Sequence, residues 1–342
     1  MGVKFGSLIR GEKIDLSDLK GKIIGIDAFL FLHQFLSSIR QPDGTPLQDS
    51  KGRITSHLSG IFYRTAKLIE AGIKPVYVFD GPKPEFKYVT AQRRAKREES
   101  MEKWKKAIAR GDIKAARKYA QASLTLSDEM IEQAKKLLEY MGVPVVQAPS
   151  EGEAQIAAMV KKGQLWAAAS QDADTLLFGS PRLIRNLSIS GRKKLPGKDV
   201  YIEIKPELIK LDDVLKALGI SRDQLIIMAM IMGTDFNPGI RLYGPKKSLK
   251  LVKEYKTLDK VLENIDWNSQ FKDEVIDARE IFDFFKKGAA KDVKIKETPL
   301  DEKKIIKMMV HEFEFSEDRV LKVIENMKKY KASSSSLSKW LK

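Results

Sequence analysis

Three stretches of the chain share one pattern, an uninterrupted apolar run that stops on acid. KIIGIDAFLF (residues 22–31) runs into Asp27, KPVYVFDGPKP (74–84) into Asp80, and QLWAAASQDAD (164–174) into Asp172 and Asp174. Short apolar runs of this kind, following helical segments, predict buried parallel strands of an α/β sheet. Between them, HLSGIFYRTAKLIEAGI (57–73) places apolar residues at helical spacing and reaches Gly72 before Lys74 and Pro75, a helix stop. LSDEMIEQAKKLLEYMGVPVVQAPS (126–150) opens on Ser127 ahead of Asp128 and Glu129, and closes at Gly142 with Pro144 beyond. Its last eight residues read as a further short strand. Residues 205–330 read as mainly helical, with DDVLKALGI, DQLIIMAMIMG, KKSLKLVKEY and DEVIDAREIFDFFKKG as the periodic segments. The tail, KASSSSLSKWLK, reads as a flexible serine linker before a short terminal element.

Acids at the ends of strands call for a reason, because Asp is disfavoured in strands and neighbouring like charges repel. Each has a local one. Asp172 and Asp174 suit a turn. Ser150 followed three residues later by Glu153 matches a helix capping box, and Glu151 suits the first helical turn. Asp235 closes a buried-looking helix in the turn of MAMIMGTDFNPGI. Together, however, Asp27, Asp80, Glu151, Glu153, Asp172, Asp174 and Asp235 all stand at the ends of apolar elements. Ligands of parallel sheets gather beyond the carboxyl ends of the strands. Seven carboxylates there could not all ionise without cations. Two divalent ions about 3.5–4 Å apart would activate water and stabilise the attacking and leaving oxygens of a phosphodiester. A rival reading takes the D-x-D of DADT as the nucleophile and acid/base pair of haloacid-dehalogenase-type phosphatases. It leaves Asp27, Asp80, Glu151 and Asp235 without a shared task.

Composition narrows the ion and names the substrate. The chain has no cysteine and three histidines, at 33, 57 and 311, so oxygen must hold any metal. A formal charge of +16 favours a polyanion. Residues 83–118 carry thirteen Lys/Arg against five Asp/Glu, half of that excess in about a tenth of the chain. Basic residues recur there at helical steps, including Arg93, with few apolar positions to form a stripe, so a helix standing away from the core is expected. The chain has neither a long uncharged apolar run nor a signal peptide, so an intracellular protein without a membrane span is expected. High Lys content without cysteine suits a thermophile.

MGVKFGSL at the amino end, GIDAFLFLHQFL, VFDGPKPEFK, APSEGEAQ, SQDADTLLFG and MGTDFNPGI, in this order and spacing, closely resemble the flap endonuclease family in its archaeal and eukaryotic form. The resemblance covers essentially the entire chain. It implies a structure-specific 5′ flap endonuclease with 5′ exonuclease activity, hydrolysing branched DNA near the single-strand/double-strand junction in Okazaki fragment maturation and repair. The implied fold is a mixed, mainly parallel α/β sheet flanked by helices, with a helical arch insertion and a helix-hairpin-helix region. One nuclease domain would span 1–330: an N-terminal region (1–82), the arch (83–122), an internal region (123–235) and the helix-hairpin-helix with C-terminal helices (236–330). Residues 331–342 would form the tail.

The family's metal acids fall on Asp27, Asp80, Glu151, Glu153, Asp172, Asp174 and Asp235, which implies two Mg²⁺ ions, with Mn²⁺ as a substitute. Asp174 is expected to be catalytic as well as a metal ligand. Gly2 matches a glycine beside the active site. Lys87 and Arg94 match a basic pair at the arch base that contacts the scissile phosphate, a role that stabilises transition-state charge. Arg93 joins them on the DNA side. GIRLYGPKKSLK (239–250) resembles the helix-hairpin-helix, with Gly244, Lys246 and Lys247 as duplex contacts and a K⁺ site at the hairpin. Two departures stand out. Leu242 replaces the hairpin's glycine, and His33 replaces a base-stacking tyrosine. SLSKWL (336–341) resembles a sliding-clamp box, with Leu337, Trp340 and Leu341 on one apolar side and Ser334 in place of the usual glutamine. A monomer is expected. A catalytically silent DNA-junction or clamp-binding protein is the alternative of a different class, disfavoured because unneutralised clustered acids destabilise a fold.

Overall fold

The computed structural model describes residues 3, 5–41, 44–82, 99–100, 102–104, 106–107, 109–110, 112, 126–187, 191–194, 201–267, 277–296 and 298–340. Strands β1 (Glu12–Lys13), β2 (Ile23–Asp27), β3 (Lys74–Phe79), β4 (Val145–Gln147), β5 (Ala167–Ala169) and β6 (Arg182–Arg185) precede a separate antiparallel hairpin of β7 (Gly191–Lys194) and β8 (Tyr201–Ile204). β9 (Glu207–Lys210) then returns to the main sheet, whose order is β1-β9-β6-β5-β2-β3-β4. The five strands β6-β5-β2-β3-β4 are parallel; β9 and β1 pair antiparallel at one side.

Helices cover both faces, which is why the central strands are apolar without alternation. Ile24, Ile26, Tyr77, Phe79, Ala167 and Ala169 face one core, shared with α1 (Ala28–Ser38), α2 (Ser56–Glu70) and α3 (Asp128–Tyr140). Val76, Val78 and Ala168 face the other, shared with α4 (Gly152–Lys161). Gly25 lies opposite α4 and must be a glycine: a Cβ there would sit 2.6 Å from Leu165 Cδ1 and 2.9 Å from Ile156 Cγ2. Past a short α5 (Asp174–Leu177) come α6 (Leu211–Leu218), α7 (Arg222–Met232), α8 (Pro245–Tyr255), α9 (Leu258–Glu263) and α10 (Ala278–Lys287). The apolar residues of α6, α7 and α10 complete the second core. α11 (Glu302–Ile306), a π-helical turn over Lys307–Glu312 and α12 (Glu317–Trp340) close the chain on the first face.

The expected mixed, mainly parallel α/β fold is therefore present, with three local differences. Residues 205–330 hold strand β9 as well as helices, because Glu207–Lys210 gains a partner on each side, Arg182–Arg185 and Glu12–Lys13. Of DEVIDAREIFDFFKKG, the helix α10 takes Ala278–Lys287, its N-cap Asp277 accepting from Arg279 N–H; residues 273–276 lie outside the described set. The serine run does not interrupt α12, which continues to Trp340; serine's helix penalty is only a few tenths of a kcal/mol, roughly, per residue. The capping box expected at Ser150 is absent. Glu151 is the N-cap of α4, without a side-chain cap bond, and Glu153 turns elsewhere. The Ser127 cap holds, its side chain accepting from Met130 N–H. Most of the arch region lies outside the described residues.

Candidate active site

The parallel strands deliver their acids to a single edge of the sheet. β2 ends on Asp27, which is directly opposite Val78 of β3, two residues before Asp80. Phe79 is opposite Gln147 of β4, and the turn that follows leads to Glu151 at the N-terminus of α4. β5 ends at Ala169, three residues before Asp172, and α5 starts on Asp174. α7 ends at Met232 and brings in Asp235.

Main-chain and side-chain groups fix the acids individually. Asp27 caps α1, its Oδ1 accepting from Leu30 N–H at 3.0 Å. Asp80 Oδ1 accepts from Gly152 N–H at 2.7 Å, so the start of α4 is tied to the end of β3. A Cβ on Gly152 would come within 2.8 Å of that same oxygen. Asp174 Oδ1 accepts from Val3 N–H at 2.9 Å. Glu153 Oε1 accepts from both Ser170 Oγ and Thr175 Oγ1, each at 3.1 Å. Asp235 sits between two anchors. Thr234 Oγ1 donates to Asn237 Oδ1 at 2.7 Å, and Phe236 packs edge-on against Phe284 with ring centroids 4.9 Å apart.

Electrostatics shows that the acids form one group. Burial, then Asp80, Asp172 and Glu151, push Asp27 up to about 8, although Leu30 N–H pulls the other way. Burial, Asp172 and Asp235 push Asp174 up to about 7 against the pull of Val3 N–H. Glu153 is held well above the carboxylate range by burial and by Asp174, Asp27, Asp172 and Glu151. Each of the seven predicted acids thus takes part in at least one of these repulsions. Asp27 is 8%, Glu151 9% and Asp174 5% exposed, a burial that acids tolerate only when neutral or paired.

These donors fit a hard, oxygen-seeking cation. Among the described residues, no group of three or more Asp, Glu or His side chains is arranged to ligate one ion directly. The acids therefore do not form one preformed cage among the described residues. Mg²⁺ suits such a set, since it keeps several waters and takes one or two carboxylates directly.

The other predicted residues divide between described and undescribed. His33 is partly buried on α1. Lys246 and Lys247 are exposed in the first turn of α8, whose N-cap, Gly244, offers no side chain and is followed by Pro245. Leu242 adopts a left-handed backbone, φ +71°, and is 78% exposed. Gly2, Lys87, Arg93, Arg94 and Leu341 lie outside the described residues, as do the side chains of Leu337 and Trp340. The sequence reading missed Val3, Ser170, Thr175 and Asn237. Only Ser170 and Thr175 carried a signal: hydroxyls that flank the two aspartates in SQDADT.

The fold and its acidic edge define a class, and the comparisons agree on it. The XPG N-terminal domain family matches residues 1–101 and the XPG I-region matches residues 142–235. Flap endonuclease 1 of Hyperthermus butylicus is 51% identical, with 100% of both chains covered. That of Pyrococcus abyssi is 54% identical over 99% of this chain and 98% of its own. The structure of flap endonuclease-1 from Methanococcus jannaschii superposes with a TM-score of 0.75 at 40% identity, over 97% of this chain and 100% of that one. The catalytic core of Rad2, solved in complex with a DNA substrate, shares the fold with a TM-score of 0.68 at 22% identity over 95% and 100% of the two chains. The chain belongs to the flap endonuclease family, a branch of the XPG nucleases. It is a DNA hydrolase, not a haloacid-dehalogenase-type phosphatase. No described helix is long and apolar enough to cross a membrane.

Proposed function

We propose that the chain cuts 5′-flap DNA at the junction of single and double strand with two Mg²⁺ ions, Mn²⁺ serving in their place, held by Asp27, Asp80, Glu151, Glu153, Asp172, Asp174 and Asp235. The observation that carries this reading is the elevation of Asp27, Glu153 and Asp174, by burial and by neighbouring carboxylates, at the carboxyl edge of the sheet. When bound, the ions supply an activated water and charge stabilisation for an in-line displacement.

The residues of the chain do the rest. Leu30, Gly152 and Val3 N–H groups each occupy one oxygen of Asp27, Asp80 and Asp174, which fixes the rotamers and limits how the other oxygen is presented. Lys87 and Arg94 stabilise negative charge on the transferring phosphoryl group. Arg93 and Gly2 contact the DNA, and His33 stacks near the cleaved end. The arch admits a single-stranded 5′ end and excludes duplex.

The hairpin between α7 and α8 grips duplex phosphates through Gly244, Lys246 and Lys247, with K⁺ nearby. The uncapped N-terminus of α8 supports this, because its free N–H groups and dipole favour an anion. Recognition is by shape and phosphate, so binding falls steeply with salt. Leu337, Trp340 and Leu341 present one apolar side to a sliding clamp, and the chain acts as a monomer within the cell.

The test is product mapping on 5′-flap, nicked and fully duplex DNA with Mg²⁺, Mn²⁺ or EDTA. Mg²⁺-dependent release of the flap within a nucleotide or so of the junction is expected. Binding without cutting in Mg²⁺ would instead make the chain a junction-binding protein.

A further inference from the structure

Glu153 faces four other carboxylates, which repel it, and its long side chain has rotamers that would carry it out to water. Something must keep it inward. The local device suggested by sequence, a capping bond from Ser150 N–H to the carboxylate, is not used. Two hydroxyls from elsewhere take the carboxylate instead. Ser170, 2% exposed just beyond β5, and Thr175, fully buried in α5, both donate to Oε1 at 3.1 Å. Ser170 Oγ also accepts from Asp172 N–H at 3.2 Å. A hydroxyl has one proton to give, so Ser170 commits it to Glu153 while its lone pair holds the Asp172 main chain.

We propose that Ser170 and Thr175 are positioning residues for Glu153: two buried hydroxyls lock one carboxylate oxygen and leave Oε2 free for a divalent ion, with Ser170 setting Glu153 and Asp172 in register. The proposal rests on the two-ion reading of the acidic edge. No described group hydrogen-bonds Oε2, and both hydroxyls are buried. Both residues are buried and bonded to the carboxylate, so each acts through Glu153. Partners of this kind orient metal-binding groups, and losing them weakens metal binding about 10- to 100-fold.

The experiment compares wild type, Ser170→Ala, Thr175→Val, their combination, and Thr175→Ser, which keeps the hydroxyl. Three quantities are measured: Mn²⁺ binding by calorimetry without DNA, the Mg²⁺ concentration giving half-maximal single-turnover cleavage, and thermal unfolding in EDTA. The combined variant is expected to bind Mn²⁺ about tenfold more weakly or worse and to need correspondingly more Mg²⁺, with most of the rate recovered at saturation. Thr175→Ser should match wild type. A folded combined variant with wild-type Mn²⁺ affinity would overturn the proposal, as would equal weakening in Thr175→Ser and Thr175→Val. A wild type that binds no divalent ion would remove the two-ion reading and this one together, so the two failures are distinguishable.

Discussion

Val3 donates its main-chain N–H to Asp174 Oδ1 at 2.9 Å, so the third residue of the chain orients an acid 171 positions later. Val3, Phe5 and Ile9 are buried in the core beneath that contact, which gives the bond a rigid base. A hydrogen bond to a charged group contributes about 1.5–3 kcal/mol. Val3→Pro removes the donor and should lower cleavage about tenfold or more, whereas Val3→Ala keeps the N–H and should cost mainly stability. Single-turnover rates beside unfolding temperatures separate the two; equal rates would show that the bond does not orient Asp174.

The elevated acids set a pH dependence whose sign can be worked out. Asp27 at about 8 and Asp174 at about 7 bind protons in the fold that the unfolded chain, near 3.8, has already lost. Between pH ~4 and ~8 the metal-free fold therefore holds more protons, and these groups lose stability as pH rises. Mg²⁺ competes with those protons, so the rise in unfolding temperature on adding Mg²⁺ over EDTA should grow from pH 5 to 8.5. An increment independent of pH would mean that the ion binds elsewhere. His57 has the opposite sign: burial pushes it down to about 4, so its contribution is lost as pH falls from 6.5 through 4, with or without metal.

Gly152 touches Asp80 through both its N–H and its missing side chain. Gly152→Ala should displace the Asp80 carboxylate while improving helix propensity. A shift of this kind costs about a hundredfold in rate with little change in stability. Cleavage kinetics beside thermal unfolding would show it; unchanged kinetics would place Asp80 outside the reacting centre.

How much of this was legible before the structure depends on the range of the interaction. The acids of β2, β3 and β5 were legible because burial on both faces makes those strands continuous apolar runs, and a carboxylate at the end of such a run is conspicuous. Glu153 was misassigned for the same local reason. Capping rules read three residues ahead, whereas its partners, Ser170 and Thr175, arrive from another strand and helix. β9 was missed because four residues, ELIK, become a strand only through partners on both sides. The turn at Leu242 was legible as an anomaly, since leucine stood where a left-handed glycine was expected.

Leu242 holds that left-handed backbone at a cost of about 1–2 kcal/mol for a residue with a β-carbon. Leu242→Asn, which tolerates this conformation, should stabilise the chain by up to about 1 kcal/mol and leave the salt dependence of duplex binding intact. Lys246→Ala or Lys247→Ala should instead lower the slope of log affinity against log salt by about one each. Binding titrations across a salt series check both; unaltered slopes in the lysine variants would move the duplex contact away from α8.

The two-ion account is tested most directly on a 5′-labelled flap substrate with wild type and Asp174→Asn, cleavage followed in Mg²⁺ and binding followed in Ca²⁺. The account predicts that the variant binds the flap within a few-fold of wild type yet cuts it at least about a hundredfold more slowly. Near-wild-type cutting by Asp174→Asn would contradict it.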